Sequence, residues 1–146
     1  MSKLNFFFKD FFGIELDMEL FDNRIRLQKL IYILNHYGIR LGYHFTWWKY
    51  GPYSPKLTED GYAQLEIETK KPTNHDLSII EKVKKGKMFL QDSGKAELIA
   101  SYLYLEKHMT NREQNEIIEE LLTRKPYLTS AQIQRTMSEW NKAVRD

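Results

Sequence analysis

From Asn23 to Tyr37 the apolar residues recur at helical spacing. Leu27, Leu30, Leu34 and Tyr37 share one face at roughly 100° per residue, with Ile31 at its edge. A strand alternates every second residue and cannot bury such a stripe, so this segment is expected to form a core helix that Asp22 caps and Gly38 stops. Leu4, Phe7, Phe8 and Phe11 repeat the i, i+3, i+4, i+7 pattern over Leu4 to Phe12, a shorter helix closed by Gly13. Ser54-Pro55 offers an N-cap followed by proline at the first helical position, starting a helix that runs to about Tyr62. Asn74 or Asp76 begins another, with Leu77, Ile80 and Val83 inward and Gly86 at its end.

The last third reads as helical throughout. Asp92 or Ser93 precedes a broad apolar face of Leu98, Ile99, Tyr102, Leu103 and Leu105. Thr110 to Glu113 and Thr129 to Gln132 both match the capping-box pattern, in which a Thr side chain and a Glu or Gln side chain satisfy each other's backbone N–H groups. The first of these helices buries Ile117, Ile118, Leu121 and Leu122 before Pro126, and the second presents Ile133, Met137, Trp140 and Val144 on one face.

Tyr43 to Trp48 alternates as a strand, with Tyr43, Phe45 and Trp47 on one face and His44, Thr46 and Trp48 on the other. Lys87 to Gln91 is its expected partner, and Leu65 to Thr69 is a further candidate. The fold class expected is therefore α+β and mainly α-helical: a compact helical domain over residues 1–146 with a small antiparallel sheet. Phe89 to Lys95 resembles the strand, turn and helix start that close winged-helix modules, so a winged-helix-like arrangement stays open.

At 146 residues the chain can bury a core without disulfide or metal support. It has no cysteine, which removes thiolate metal sites and cysteine nucleophiles and suits a reducing compartment, so cytoplasmic residence is expected. No apolar run approaches the ~20 residues of a membrane span; Lys9 and Asp10 interrupt the N-terminal phenylalanines. The net charge of +2 is far from the excess that marks a nucleic-acid binder. Its distribution is uneven, with lysines crowding residues 70–95 and glutamates the helix after Arg112.

Trp47-Trp48-Lys49-Tyr50-Gly51-Pro52-Tyr53-Ser54-Pro55 packs four large aromatics into an element junction. Trp and Tyr dominate protein-interface anchors and also stack on bases; alternation turns Trp48 outward, while Trp47, Tyr50 and Tyr53 can equally pack beneath the sheet. Arg26, Lys29, His36 and Arg40 fall within a roughly 80° sector of the long helix. That sector is either a basic stripe for an acidic partner or an ordinary charged face whose stems cover the core edge. The four histidines are scattered, no ligand spacing is present, and no metal or other cofactor is expected. No nucleophile elbow, phosphate-binding glycine loop or dinucleotide fingerprint occurs, so no catalytic residue is assigned.

Arg26-Leu27-Gln28-Lys29-Leu30-Ile31-Tyr32-Ile33-Leu34, followed by Phe45 and by Tyr50-Gly51-Pro52-Tyr53-Ser54, resembles the YwgA-like branch of the Panacea group, which also includes SocA-like and phage-associated proteins. The likeness covers about residues 24–62 and continues more loosely through Ala96 to Leu105 and Lys125 to Tyr127. It implies a helix-rich module of the kind found in bacterial antitoxins that bind and neutralise varied toxins, some members acting as proteolytic adaptors. Panacea-type antitoxins often carry an added DNA-binding or other segment, for which 146 residues are expected to leave no room.

The reading reached is a non-enzymatic, cytoplasmic protein-interaction module. Its partner, a toxin or a regulatory protein, is expected to meet Arg26, Lys29, Trp48, Tyr50, Tyr53 and Ser54. The alternative is a winged-helix-like DNA or RNA binder that contacts phosphates through Lys56, Lys82, Lys84, Lys85 and Lys87. Glu59 and Asp60 in the helix that would enter the groove oppose that alternative.

Overall fold

A computed structural model describes residues 3–63 and 73–145. Its elements are α1 (Lys3–Phe12), α2 (Phe21–His36), β1 (Thr46–Trp48), β2 (Gly51–Tyr53), α3 (Pro55–Ala63), α4 (Asn74–Lys84), α5 (Lys87–Gln91), α6 (Ser93–His108), α7 (Gln114–Arg124) and α8 (Ser130–Arg145). The fold is thus mainly helical with one two-stranded antiparallel sheet among the described residues. Leu65 to Thr69, expected as a possible strand, lies outside them.

The α2–α6 pair is the centre of the molecule, and every other helix adds side chains to the same core. The stripe of Leu27, Leu30, Ile31 and Leu34 is buried as its spacing requires. The helix is buried on its other sides as well, because Ile25, Tyr32 and Ile33 meet neighbours there, and so do Asn23, Gln28 and Lys29. A helix enclosed on all sides loses its solvated face. Of the two readings of its basic sector, the continuous stripe is accordingly broken: Lys29 is buried, Arg26 and His36 are half-buried, and Arg40 lies beyond the helix end. Asp22 sits in the first turn, where its carboxylate accepts from Ser93 Oγ at 3.2 Å, and Leu20 holds the N-cap position.

Side-chain caps fix several boundaries. Ser54 Oγ accepts from Leu57 N at 3.3 Å at the start of α3, and Asp92 accepts from Gly94 N and Lys95 N at the start of α6. α4 starts at Asn74, one of its two expected starts, and Thr73 and Asp76 form a capping box on it. Ile79 and Val83 are the buried residues of α4, while Leu77, expected inward, is 49% exposed. Ile79 reaches into the space left by Gly38, which fixes the rotation of the helix. The box expected at Thr129 and Gln132 forms, with Gln132 N donating to Thr129 Oγ1 at 3.1 Å. The one expected at Thr110 does not: Asn111 takes φ +64° and the helix starts after Glu113.

The strand expected at Lys87 to Gln91 is helix α5. The apolar run Met88-Phe89-Leu90 fits one helical turn as well as a strand, because so short a run does not separate the two periods. Gly86 decides the matter: Gly86 N donates to Val83 O and Phe89 N to Gly86 O, and the glycine backbone lies against the Trp140 ring, where a Cβ would stand 2.4 Å from Cζ3. The partner of β1 is instead β2, reached through the two-residue turn Lys49-Tyr50, with Thr46 opposite Tyr53, Trp47 opposite Pro52 and Trp48 opposite Gly51. The aromatic junction is itself the sheet. No helix among the described residues is long and apolar enough to cross a membrane.

A candidate aromatic cleft beside the hairpin

The hairpin is held to α2 by side chains that replace a third strand. Gln28 Nε2 donates to Ser54 O at 2.9 Å while Gln28 Oε1 accepts from Ser54 N at 2.9 Å, so one amide reproduces both bonds of a β-pair. The same nitrogen reaches Thr58 Oγ1 at 2.9 Å. Lys29 Nζ donates to Pro52 O at 2.9 Å. These bonds leave the Ser54 and Pro52 backbone buried yet satisfied. Gln28→Ala is expected to cost about 1–3 kcal/mol in urea denaturation, because the buried Ser54 N–H loses its partner, while its carbonyl keeps the 3.3 Å bond from Thr58 N. Gln28→Glu keeps the volume but sets a carboxylate oxygen against the Ser54 carbonyl, and an unchanged midpoint in either variant would refute the clamp.

On its inner side the hairpin presses on α6 and α7. Trp47 lies against Tyr104, with ring centroids 5.7 Å apart, and carries the Arg124 guanidinium 4.6 Å from its own centroid. Lys125, 4% exposed at its side chain, pairs with Glu97 at 2.5 Å beneath it. Lys29 completes this buried polar group. Burial first of all pushes its amine from the usual 10.5 down to about 7; Glu97 opposes the shift and Lys125 adds to it.

The outer side is different. Trp48 is 57% exposed, as alternation predicts, and its ring lies on Tyr53 at a centroid distance of 4.7 Å. Tyr50 meets the Phe21 edge at 5.3 Å, and the Tyr53 hydroxyl accepts from Thr58 Oγ1 at 2.9 Å. Phe21, Arg24, Trp48, Tyr50, Tyr53 and Tyr62 thereby border a cleft of about 180 Å³. Drug-sized ligands and cofactors need about 300–1,000 Å³, whereas a cavity of about 150 Å³ accepts a single benzene ring. The cleft is therefore the size of one large side chain.

Of the residues expected at a partner surface, the structure brings Trp48, Tyr50 and Tyr53 together on this cleft. Lys29 and Ser54 are each 1% exposed and form the base that holds it, so neither is a surface contact. Burying the Lys29 amine and the Ser54 hydroxyl is tolerated here because Lys29 Nζ donates to Pro52 O and Ser54 Oγ accepts from Leu57 N. Arg26 is directed elsewhere, donating Nε to Gln91 O at 2.8 Å and Nη1 to Asn23 Oδ1 at 3.1 Å. Phe21, Arg24 and Tyr62 escaped the sequence reading. The i, i+3 spacing of Phe21 and Arg24 at the start of α2 was the available signal, but only the hairpin's return shows that this face lines a cleft.

Of the lysines of the nucleic-acid alternative, Lys56 is on α3, and Lys82, Lys84, Lys85 and Lys87 lie on or just after α4. Lys56 pairs with Asp60 at 3.2 Å, Lys84 with Asp10 at 2.8 Å, and Lys82 lies 5.5 Å from the Tyr37 ring centroid. Lys85 and Lys87 are exposed, but the wing strand that would carry Lys87 is helix α5.

The chain matches no protein-family model, no curated protein and no solved structure.

Proposed function

We propose that the chain is a non-enzymatic protein-interaction module whose partner, a toxin or a regulatory protein, docks over the cleft at Trp48, Tyr50 and Tyr53. The observation that carries this reading is an exposed aromatic cluster fixed on a hydrogen-bonded base: Trp48 and Tyr62 are 57% and 54% exposed, while Gln28 and Lys29 hold the backbone beneath. Rigid aromatic anchors around a side-chain-sized pocket are the usual high-energy centre of an interface. Membership of the YwgA-like branch of the Panacea group belongs to the same proposal. It is supported by the contact between its two motif segments, since the Gln28-Lys29 pair bonds directly to the Pro52 and Ser54 backbone.

The test is recovery of the nuclease-treated, tagged chain and its Trp48→Ala variant from cells of the source organism. Trp48 is largely outside the core, so the variant's stability should fall by less than about 1 kcal/mol. A stoichiometric protein that survives nuclease and drops at least about tenfold with Trp48→Ala is the expected result. Equal recovery with both chains, or nucleic acid in place of protein, would overturn the proposal.

A further inference from the structure

We infer that the cleft receives the C-terminal residue of the partner chain, with a large apolar side chain between the aromatic rings and the terminal carboxylate on Arg24. The inference rests on the interaction-module reading and names the chemistry of that site. Its volume of about 180 Å³ limits the occupant to one side chain. Among the described residues no acidic side chain lines the cleft, which disfavours a cationic guest; Arg24 lines it and is half-exposed. Arg24 Nη1 donates to Met18 O at 2.7 Å and Glu19 O at 3.3 Å, fixing the guanidinium. Its Nε and Nη2 make no hydrogen bond among the described residues, and no carboxylate there lies within ion-pair distance of it. Both remaining nitrogens are therefore available as the donor fork that suits a carboxylate.

The guanidinium and the ring walls border one small space, so the apolar group and the carboxylate must come from neighbouring atoms of the guest. In a protein, only the last residue of a chain carries an apolar side chain and a free carboxylate on the same Cα.

The test titrates acetyl-Gly-Ser-Gly-Ser peptides ending in Phe, Leu, Trp, Met, Ile or Val into the full chain, each as free acid and as C-terminal amide, followed by NMR shift changes. At least one free acid should bind, with shifts centred on Arg24, Trp48, Tyr50 and Tyr53. Its amide should bind about tenfold or more weakly, the usual size of a charge-assisted hydrogen bond. Arg24→Gln should erase the difference between acid and amide. If that variant fails to fold, the acid-to-amide ratio on the unaltered chain still decides. Equal binding of acid and amide would overturn the inference while leaving the module intact. So would equal binding of an amidated peptide with an internal Phe-Asp pair, of free phenylalanine, or of a short single-stranded RNA in the same cleft. Absence of binding by every peptide at millimolar concentration would overturn it too, whereas failure of the module itself is read from the Trp48→Ala recovery.

Discussion

Replacing Gly51 with alanine is expected to destabilise the protein by about 2–5 kcal/mol, measured by urea denaturation at neutral pH. Two penalties combine. Gly51 has φ +94°, a conformation that a side chain resists, and a Cβ there would stand 2.3 Å from Ser101 Oγ. The turn after Trp48 needs the first, and the close approach of the hairpin to α6 creates the second. Ser101→Ala separates them. With Oγ gone, the nearest atoms to the new methyl group become Ser101 Cβ at 3.5 Å and Lys29 Nζ at 3.6 Å, both ordinary contacts. The double variant should recover the overpacking share, about 1–3 kcal/mol, and keep the backbone share. Ser101 Oγ is buried without a hydrogen-bond partner among the described residues, so Ser101→Ala alone should be neutral or mildly stabilising. A Gly51→Ala variant within about 0.5 kcal/mol of the parent would refute the close approach.

Stability should rise with pH above neutrality, and Lys29 should be the cause. Its amine is lowered to about 7 in the folded protein from the ordinary 10.5. Between those values the unfolded chain binds the proton and the folded chain does not, so unfolding takes up a proton and becomes harder as pH rises. Each pH unit in this window adds up to about 1.4 kcal/mol, or on the order of 3 kcal/mol between pH of about 7 and about 9.5. Near pH 10 the trend should reverse. Burial raises the hydroxyls of Tyr32 and Tyr43 above their usual 10, so the folded chain then keeps protons that the unfolded chain releases. Lys29→Met removes the titrating group and should flatten the rising limb, whatever it does to stability at pH 7. A parent protein with the same flat profile would mean that the buried amine stays charged, held by Glu97 more strongly than burial opposes it.

The helices were legible because their apolar spacing is a local property. Ile133, Met137, Trp140 and Val144 are buried as their period demands, and Thr129 with Gln132 caps α8. The sheet was legible only in part. Tyr43 to Trp48 was recognisable as extended, but glycine and proline at positions 51 and 52 are depleted in strands. They pair with Trp48 and Trp47 because a sharp turn brings them back, Lys29 donates to the Pro52 carbonyl, and Gln28 holds the backbone of Ser54 just beyond them. Lys87 to Gln91 went the other way, since a short apolar run does not register the Trp140 ring against Gly86.

The candidate site divides along the same line. Trp48 was assignable from alternation, which depends only on a strand having two faces. Lys29 and Ser54 look like surface groups in sequence, because charge and polarity favour water unless a specific partner is present inside. Their partners, the Pro52 carbonyl and the Gln28 amide, lie 23 and 26 residues away along the chain. Arg24 gains its place on the cleft only because Met18 and Glu19 hold its guanidinium while the hairpin closes over α2. The sequence by itself determined the helical majority and the outward Trp48, since both follow from periodicity along the chain. The tertiary structure alone decided which polar residues are buried and which rings enclose a space, since both depend on which distant segments supply hydrogen bonds and walls.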